Sequence, residues 1–65
     1  MKEFGIKLKK LRESRGLTIE ELAKELDIHK FPLKYWEAGE MTMKISQLIK
    51  IAKYFGVSID YLLGL

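Results

Sequence analysis

The stretch from Leu17 to Gly39, LTIEELAKELDIHKFPLKYWEAG, limits what this chain can become more than any other. Thr18 followed three residues later by Glu21 is a capping box: the threonine oxygen takes an orphan amide of the first helical turn, and the glutamate reaches back to the threonine N–H. A helix is expected over about Ile19 to Leu26, with Leu22, Ala23 and Leu26 on its inward face. Ala23 is small where a second helix would cross. Asp27 and Ile28 then make a tight turn. Aspartate tolerates a left-handed backbone better than most residues, and Ile28 can fill the space between the two helices. A second helix is expected over about Lys30 to Ala38, with His29 at its cap, Leu33 and Trp36 inward, and Gly39 ending it. Pro32 falls at the third helical position, where its missing N–H costs nothing. It disfavours helical angles at Phe31, which predicts a late start. The first helix of the pair has apolar residues to bury, whereas the second shows solvent Lys30, Phe31, Lys34 and Tyr35.

The flanking segments read as three more helices. Over about Lys2 to Ser14, Phe4, Leu8 and Leu11 form one apolar stripe. Ile6 falls off it and is expected to be exposed, and Gly16 ends the helix. Over about Lys44 to Phe55, the residues Ile45, Leu48, Ile49, Ala52 and Phe55 are expected inward, with Gly56 as the stop. Ser58 caps a last short helix, Ile59 to Leu63. The five glycines fall where helices begin, turn or end, there is one proline, and no segment alternates with period two. The expectation is an all-α fold in one domain, residues 1–65, with a helix-turn-helix over about 18–38. Trp36 is the candidate central aromatic, with Phe4, Tyr54 and Phe55 in or beside the core. A chain this short buries only about 60% of its unfolded surface, so its stability is expected to be modest.

Composition excludes several functions. There is no cysteine, hence no disulfide and no thiolate metal site. The single histidine, His29, is flanked by Ile28 and Lys30, which supply no carboxylate to orient it. No enzyme activity, metal, cofactor or small-molecule substrate is therefore expected. No apolar run approaches the roughly 18 residues of a membrane span, and no signal-peptide pattern opens the chain, so a cytoplasmic protein without a membrane partner is expected. The formal net charge of +3 suits a polyanionic partner but does not by itself require one.

At this point the residues carry a resemblance. Leu8, Leu11-Arg12, Gly16-Leu17-Thr18, Glu21-Leu22-Ala23, Leu26, Ile28, Trp36-Glu37, Gly39, Leu48, Ala52, Gly56-Val57-Ser58 and Leu62-Leu63, in this order and spacing, resemble the phage-repressor and Cro type helix-turn-helix domain, the lambda-repressor-like fold of the XRE family. The resemblance covers nearly the whole chain. It implies a compact five-helix domain that binds double-stranded DNA, its third helix entering the major groove, often as two subunits on a two-fold operator. By position, His29, Lys30, Phe31, Lys34 and Tyr35 resemble the family's base-reading residues. Lysine can donate to guanine O6 and N7, and Phe31 can touch a thymine methyl. Arg12, Thr18, Ile19, Thr42 and Lys44 resemble backbone-contacting or supporting positions. Arg12 and Glu37 match a partly buried ion pair between the first and third helices. A homodimer through helices four and five and the apolar tail is a further expectation.

The departures from the family pattern cluster at Ile19, at His29 to Pro32, at Lys34-Tyr35, and from Glu40 to Lys44. Ile19 stands where similar proteins often carry glutamine. Lys44 stands where they cap the fourth helix with serine or threonine; it either meets a phosphate or is merely solvated on a helix that starts earlier, capped by Thr42. Three explanations fit these departures: a regulator of unusual specificity, a family scaffold with a redesigned DNA-facing surface, or a domain whose exposed face binds protein. The last would be an antitoxin-like or co-regulator module using Ile19, Phe31, Tyr35 and Met41 as an apolar patch.

Overall fold

Local signals set the helices, and the computed structural model, which describes residues 2–40 and 42–65, arranges five of them: α1 (Lys2–Ser14), α2 (Ile19–Leu26), α3 (Lys30–Ala38), α4 (Ile45–Phe55) and α5 (Ile59–Leu63). No strand occurs among the described residues. At α2, Glu21 N–H donates to Thr18 Oγ1 at 3.1 Å and Thr18 N–H to Glu21 Oε1 at 2.8 Å, completing the capping box. Ser58 caps α5 by its Oγ alone, which accepts the Tyr61 N–H at 2.9 Å. Gly39, Gly56 and Gly64 close α3, α4 and α5 in left-handed conformations.

Asp27 closes α2 with φ 55°, the sole described non-glycine residue at positive φ. Its position strains the backbone, and its charge opposes the negative end of the helix dipole. Asp27→Gly removes both penalties. It is expected to stabilise the fold by about 1 kcal/mol, measured as a rise in the urea midpoint at unchanged slope.

One core lies between the helices. It contains Phe4 and Leu8 of α1, Leu22, Ala23 and Leu26 of α2, Leu33 and Trp36 of α3, Leu48, Ile51, Ala52 and Phe55 of α4, and Leu62 of α5. Trp36 is its largest member and is fully buried. Its indole N–H is the one buried side-chain polar atom without a partner among the described residues. Such a group costs about 1–3 kcal/mol, which the packing of the ring outweighs. α1 packs on α3 and α5, α2 on α3 and α4, and α4 on α5.

Side chains reinforce these crossings at the surface. Lys7 Nζ donates to the Tyr61 carbonyl at 2.9 Å and lies 4.7 Å from that ring's centre. The Arg15 guanidinium lies 4.9 Å from the ring centres of both Tyr54 and Phe55. Tyr54 OH in turn donates to Glu25 Oε1 at 3.3 Å.

Four expectations are corrected. Ile45 and Ile49 do not face inward; they are 67% and 38% exposed, and Ile51 is buried instead. The apolar residues of α4 form two overlapping stripes of helical period, and packing selects the one through Leu48, Ile51, Ala52 and Phe55. Gly5 is not at a helix end: it sits inside α1, buried against α3. α3 does not start late, because Phe31 is already helical; burial of Leu33 and Trp36 holds the first turn in place despite Pro32. Finally, α4 does not begin earlier under a Thr42 cap. Lys44 itself is the N-cap residue, with extended φ and ψ of −74° and 151°. Lysine has no acceptor to offer, so only the reciprocal half of a capping box forms, Lys44 N–H donating to Gln47 Oε1 at 2.9 Å.

Candidate nucleic-acid interface

The helix pair is held by an ion pair that lies behind it. Arg12 Nε donates to Glu37 Oε2 at 2.7 Å and Nη2 donates to Glu37 Oε1 at 3.0 Å. Nη1 donates to the Leu17 carbonyl at 2.7 Å. One guanidinium thus fixes α1 to the end of α3 and to the residue that leads into α2. The side chains are only 12% and 7% exposed. This two-pronged geometry suits arginine and would not suit lysine. The hydrogen bond to Glu37 is the main cause that raises the Arg12 pKa; burial opposes it, and the fields of Glu37, Glu13 and Glu20 add to it. Arg12 is therefore committed inward, and the backbone contact that the family resemblance implies for it competes with three hydrogen bonds already made.

With Leu33 and Trp36 buried, the opposite side of α3 faces out. Lys30, Phe31, Lys34 and Tyr35 are exposed, Phe31 by 61% and Tyr35 by 48%. Lys30 and Lys34 are one turn apart, as are Phe31 and Tyr35, so the face carries a cationic row beside an aromatic one. Lys30 Nζ lies 5.6 Å from the centre of the Phe31 ring. His29 occupies the N-cap position without a side-chain cap hydrogen bond, and the first turn of α3 carries no acid.

Two shallow recesses flank Phe31. One is lined by Ile19, Glu20, Lys30, Phe31 and Lys34. The other is lined by Glu20, Ala23, Lys24, Ile28, His29, Lys30 and Phe31. The structure thus brings together Ile19, His29, Lys30, Phe31 and Lys34, with Tyr35 one turn further along α3. Thr18 lines neither recess, and its oxygen is occupied as a cap. Thr42 and Lys44 are exposed but line neither recess; Met41 lies outside the described residues. Lys24 and Glu20 also line these recesses, which the sequence alone does not indicate. The available signal for Glu20 was a second carboxylate next to the capping Glu21, one that the cap does not use.

No helix among the described residues is long and apolar enough to cross a membrane, and no cluster of described residues could hold a metal ion.

Comparison with known proteins agrees with this architecture. The chain is 39% identical over 62 residues to the HTH-type transcriptional activator BcrR of Enterococcus faecalis, a match covering 95% of this chain and 30% of that protein. It is 36% identical over 59 residues to the uncharacterized HTH-type transcriptional regulator YobD of Bacillus subtilis, covering 91% and 53%. The chain thus spans about a third to a half of the length of these relatives. Among solved structures, a transcriptional regulator from Listeria innocua superimposes with a TM-score of 0.86 at 34% identity, covering 95% of this chain and 58% of that one. An HTH_3 family transcriptional regulator from Vibrio cholerae does so at 0.82 and 32%, covering 97% and 35%. The profile of the helix-turn-helix family HTH_3 matches residues 8–62, and the chain belongs to that family.

Proposed function

We propose that this chain is a sequence-specific double-stranded DNA-binding domain of a transcriptional regulator that inserts α3 into the major groove. The observation that carries this reading is the exposed row Lys30, Phe31, Lys34 and Tyr35 on the helix whose other side is locked by Leu33, Trp36 and Glu37. A helix about 10–12 Å across fits the major groove, where each base pair displays a distinct donor and acceptor pattern. Lys30 and Lys34 donate to base edges or phosphates, Phe31 packs on a pyrimidine methyl, Tyr35 donates to a phosphate, and His29 stands at the helix start. Thr18 holds α2 in place, and Thr42 and Lys44 serve the DNA backbone. Arg12 and Glu37 fix the angle between the helices. Ile45, Ile49, Leu63 and Leu65 are all exposed, which supports a homodimer through α4, α5 and the tail.

The test is titration with duplex DNA at several salt concentrations, starting from a sequence selected out of a random pool. Affinity is expected to fall with a log–log slope of about 0.9 per phosphate contact. Lys34→Ala is expected to cost about 1–3 kcal/mol on the selected duplex if the lysine reads a base, or to lower the salt slope by about 1 if it meets a phosphate. A flat salt response, or chemical-shift changes confined to α1 and α5, would defeat the reading. The competing reading, a protein-interaction module using the exposed Phe31 and Tyr35, predicts no salt-sensitive association with random duplex.

A further inference from the structure

Glu20 is the single carboxylate lining either recess beside Phe31, and it lines both. It is exposed and takes no part in the α2 cap, which Glu21 completes. No described cation lies within salt-bridge distance of it; Arg12–Glu37 is the sole such pair among the described residues. A free carboxylate on a face turned toward DNA is repelled by phosphate unless it meets a hydrogen-bond donor. In the major groove cytosine offers such a donor on its edge, the N4 amino group, whereas thymine presents the O4 acceptor at the same place. In the recess shared with Ile19, Phe31, Lys30 and Lys34, the carboxylate therefore stands beside an apolar wall and two cations. The wall suits the C5 edge of a pyrimidine, and the lysines suit the O6 and N7 of a guanine.

We propose that Glu20 is a specificity-determining residue: it accepts a hydrogen bond from the N4 amino group of a cytosine whose C5 edge rests against Ile19 and Phe31. This rests on the DNA-binding reading above and adds to it the identity of one base. Cytosine is preferred over thymine at that position by about tenfold, since the wrong base leaves the carboxylate facing an acceptor. A methyl group at C5 of the same cytosine enters the apolar wall and strengthens binding by about fourfold, the value of one buried methyl-sized group.

The 65-residue chain and its Glu20→Gln variant are each equilibrated with a randomised duplex library, and the bound duplexes are sequenced. The wild-type chain is expected to enrich a motif containing an invariant cytosine, and the variant a motif of similar length in which that cytosine is lost. Glutamine keeps the size of glutamate but loses its charge and gains an NH2 donor, so its amide can turn either an acceptor or a donor to the base and cytosine loses its advantage over thymine. A variant that retains the cytosine shows that Glu20 merely props Lys30 or Lys34, and overturns the proposal. Replacing the selected cytosine by 5-methylcytosine is expected to tighten wild-type binding. Unchanged or weaker binding overturns the placement against Ile19 and Phe31. Enrichment of a motif without cytosine sinks the role of Glu20 while leaving DNA binding intact, and no enrichment of any motif sinks both. Because Glu20 is exposed, matching melting curves for the two chains establish that the variant is folded.

Discussion

Glu37→Ala is expected to destabilise the fold by up to about 3–5 kcal/mol, because it strands a charge rather than a contact. The Arg12 side chain is only 12% exposed. Without Glu37 it would keep only the Leu17 carbonyl as a partner. A domain of this size has roughly 3–10 kcal/mol of stability in all, at about 0.05–0.15 kcal/mol per residue. The melting temperature should therefore drop by tens of degrees, at about 4–8 °C per kcal/mol. The double variant Arg12→Met, Glu37→Leu is expected to recover most of the loss, since an apolar pair of similar volume removes the stranded charge. A Glu37→Ala melting curve within about 0.5 kcal/mol of wild type would show that the pair contributes no more than an exposed one. The pH dependence has a definite sign. Arg12 has its pKa raised on folding, so its stabilising effect is complete below the unfolded value and is lost only as pH climbs through the still higher folded value. Between about pH 6 and 9 Arg12 is expected to contribute no slope to stability.

Gly5 sets up a second large effect, in a direction opposite to the one helix propensity gives. In an ordinary helix interior, glycine to alanine gains about 1 kcal/mol. Here a Cβ at position 5 would sit 2.5 Å from the Trp36 carbonyl oxygen and 2.7 Å from that of Glu37. Both are backbone atoms of α3, and the Trp36 carbonyl also accepts the Gly39 amide that closes the helix. Neither can swing aside as a side chain would. Gly5→Ala is expected to cost about 1–3 kcal/mol, and Gly5→Val about 3 kcal/mol or more, by forcing α1 away from α3. Denaturant unfolding of the two variants checks both the sign and the order. An alanine variant more stable than wild type would mean that the helices do not approach this closely. The same separation would strain the Arg12–Glu37 pair, which spans the same two helices, so the effects at Gly5 and Glu37 should not add.

The two predictions concern features of unequal legibility. The Arg12–Glu37 pair came from family resemblance; composition and spacing alone give two charges 25 residues apart. The role of Gly5 is not legible in the sequence, where a glycine reads as helix punctuation. Nothing in its neighbours announces that a helix beginning more than twenty residues later will press against it. The recess around Phe31 shows the same division. Lys30, Phe31, Lys34 and Tyr35 are legible because they repeat with helical period opposite Leu33 and Trp36, and His29 joins them only through its position in the family resemblance. Glu20 lies on a different helix and joins them only when α2 and α3 fold together.

What the chain's sequence determines by itself is that there are five helices and where most of them stop, and that Leu17 to Gly39 is a helix pair with one face to bury and one to show. The interactions responsible reach no further than a few residues: a threonine capping the amide three positions on, an aspartate or glycine accepting a left-handed turn, apolar side chains recurring every three or four positions. Which stripe of α4 turns inward, how closely α1 lies on α3, that Arg12 points into the protein, and that Glu20 stands beside Phe31 were decided by the tertiary structure. Each depends on the fit between surfaces of helices distant in sequence, and the exposed face of Leu17 to Gly39 is completed only by that fit.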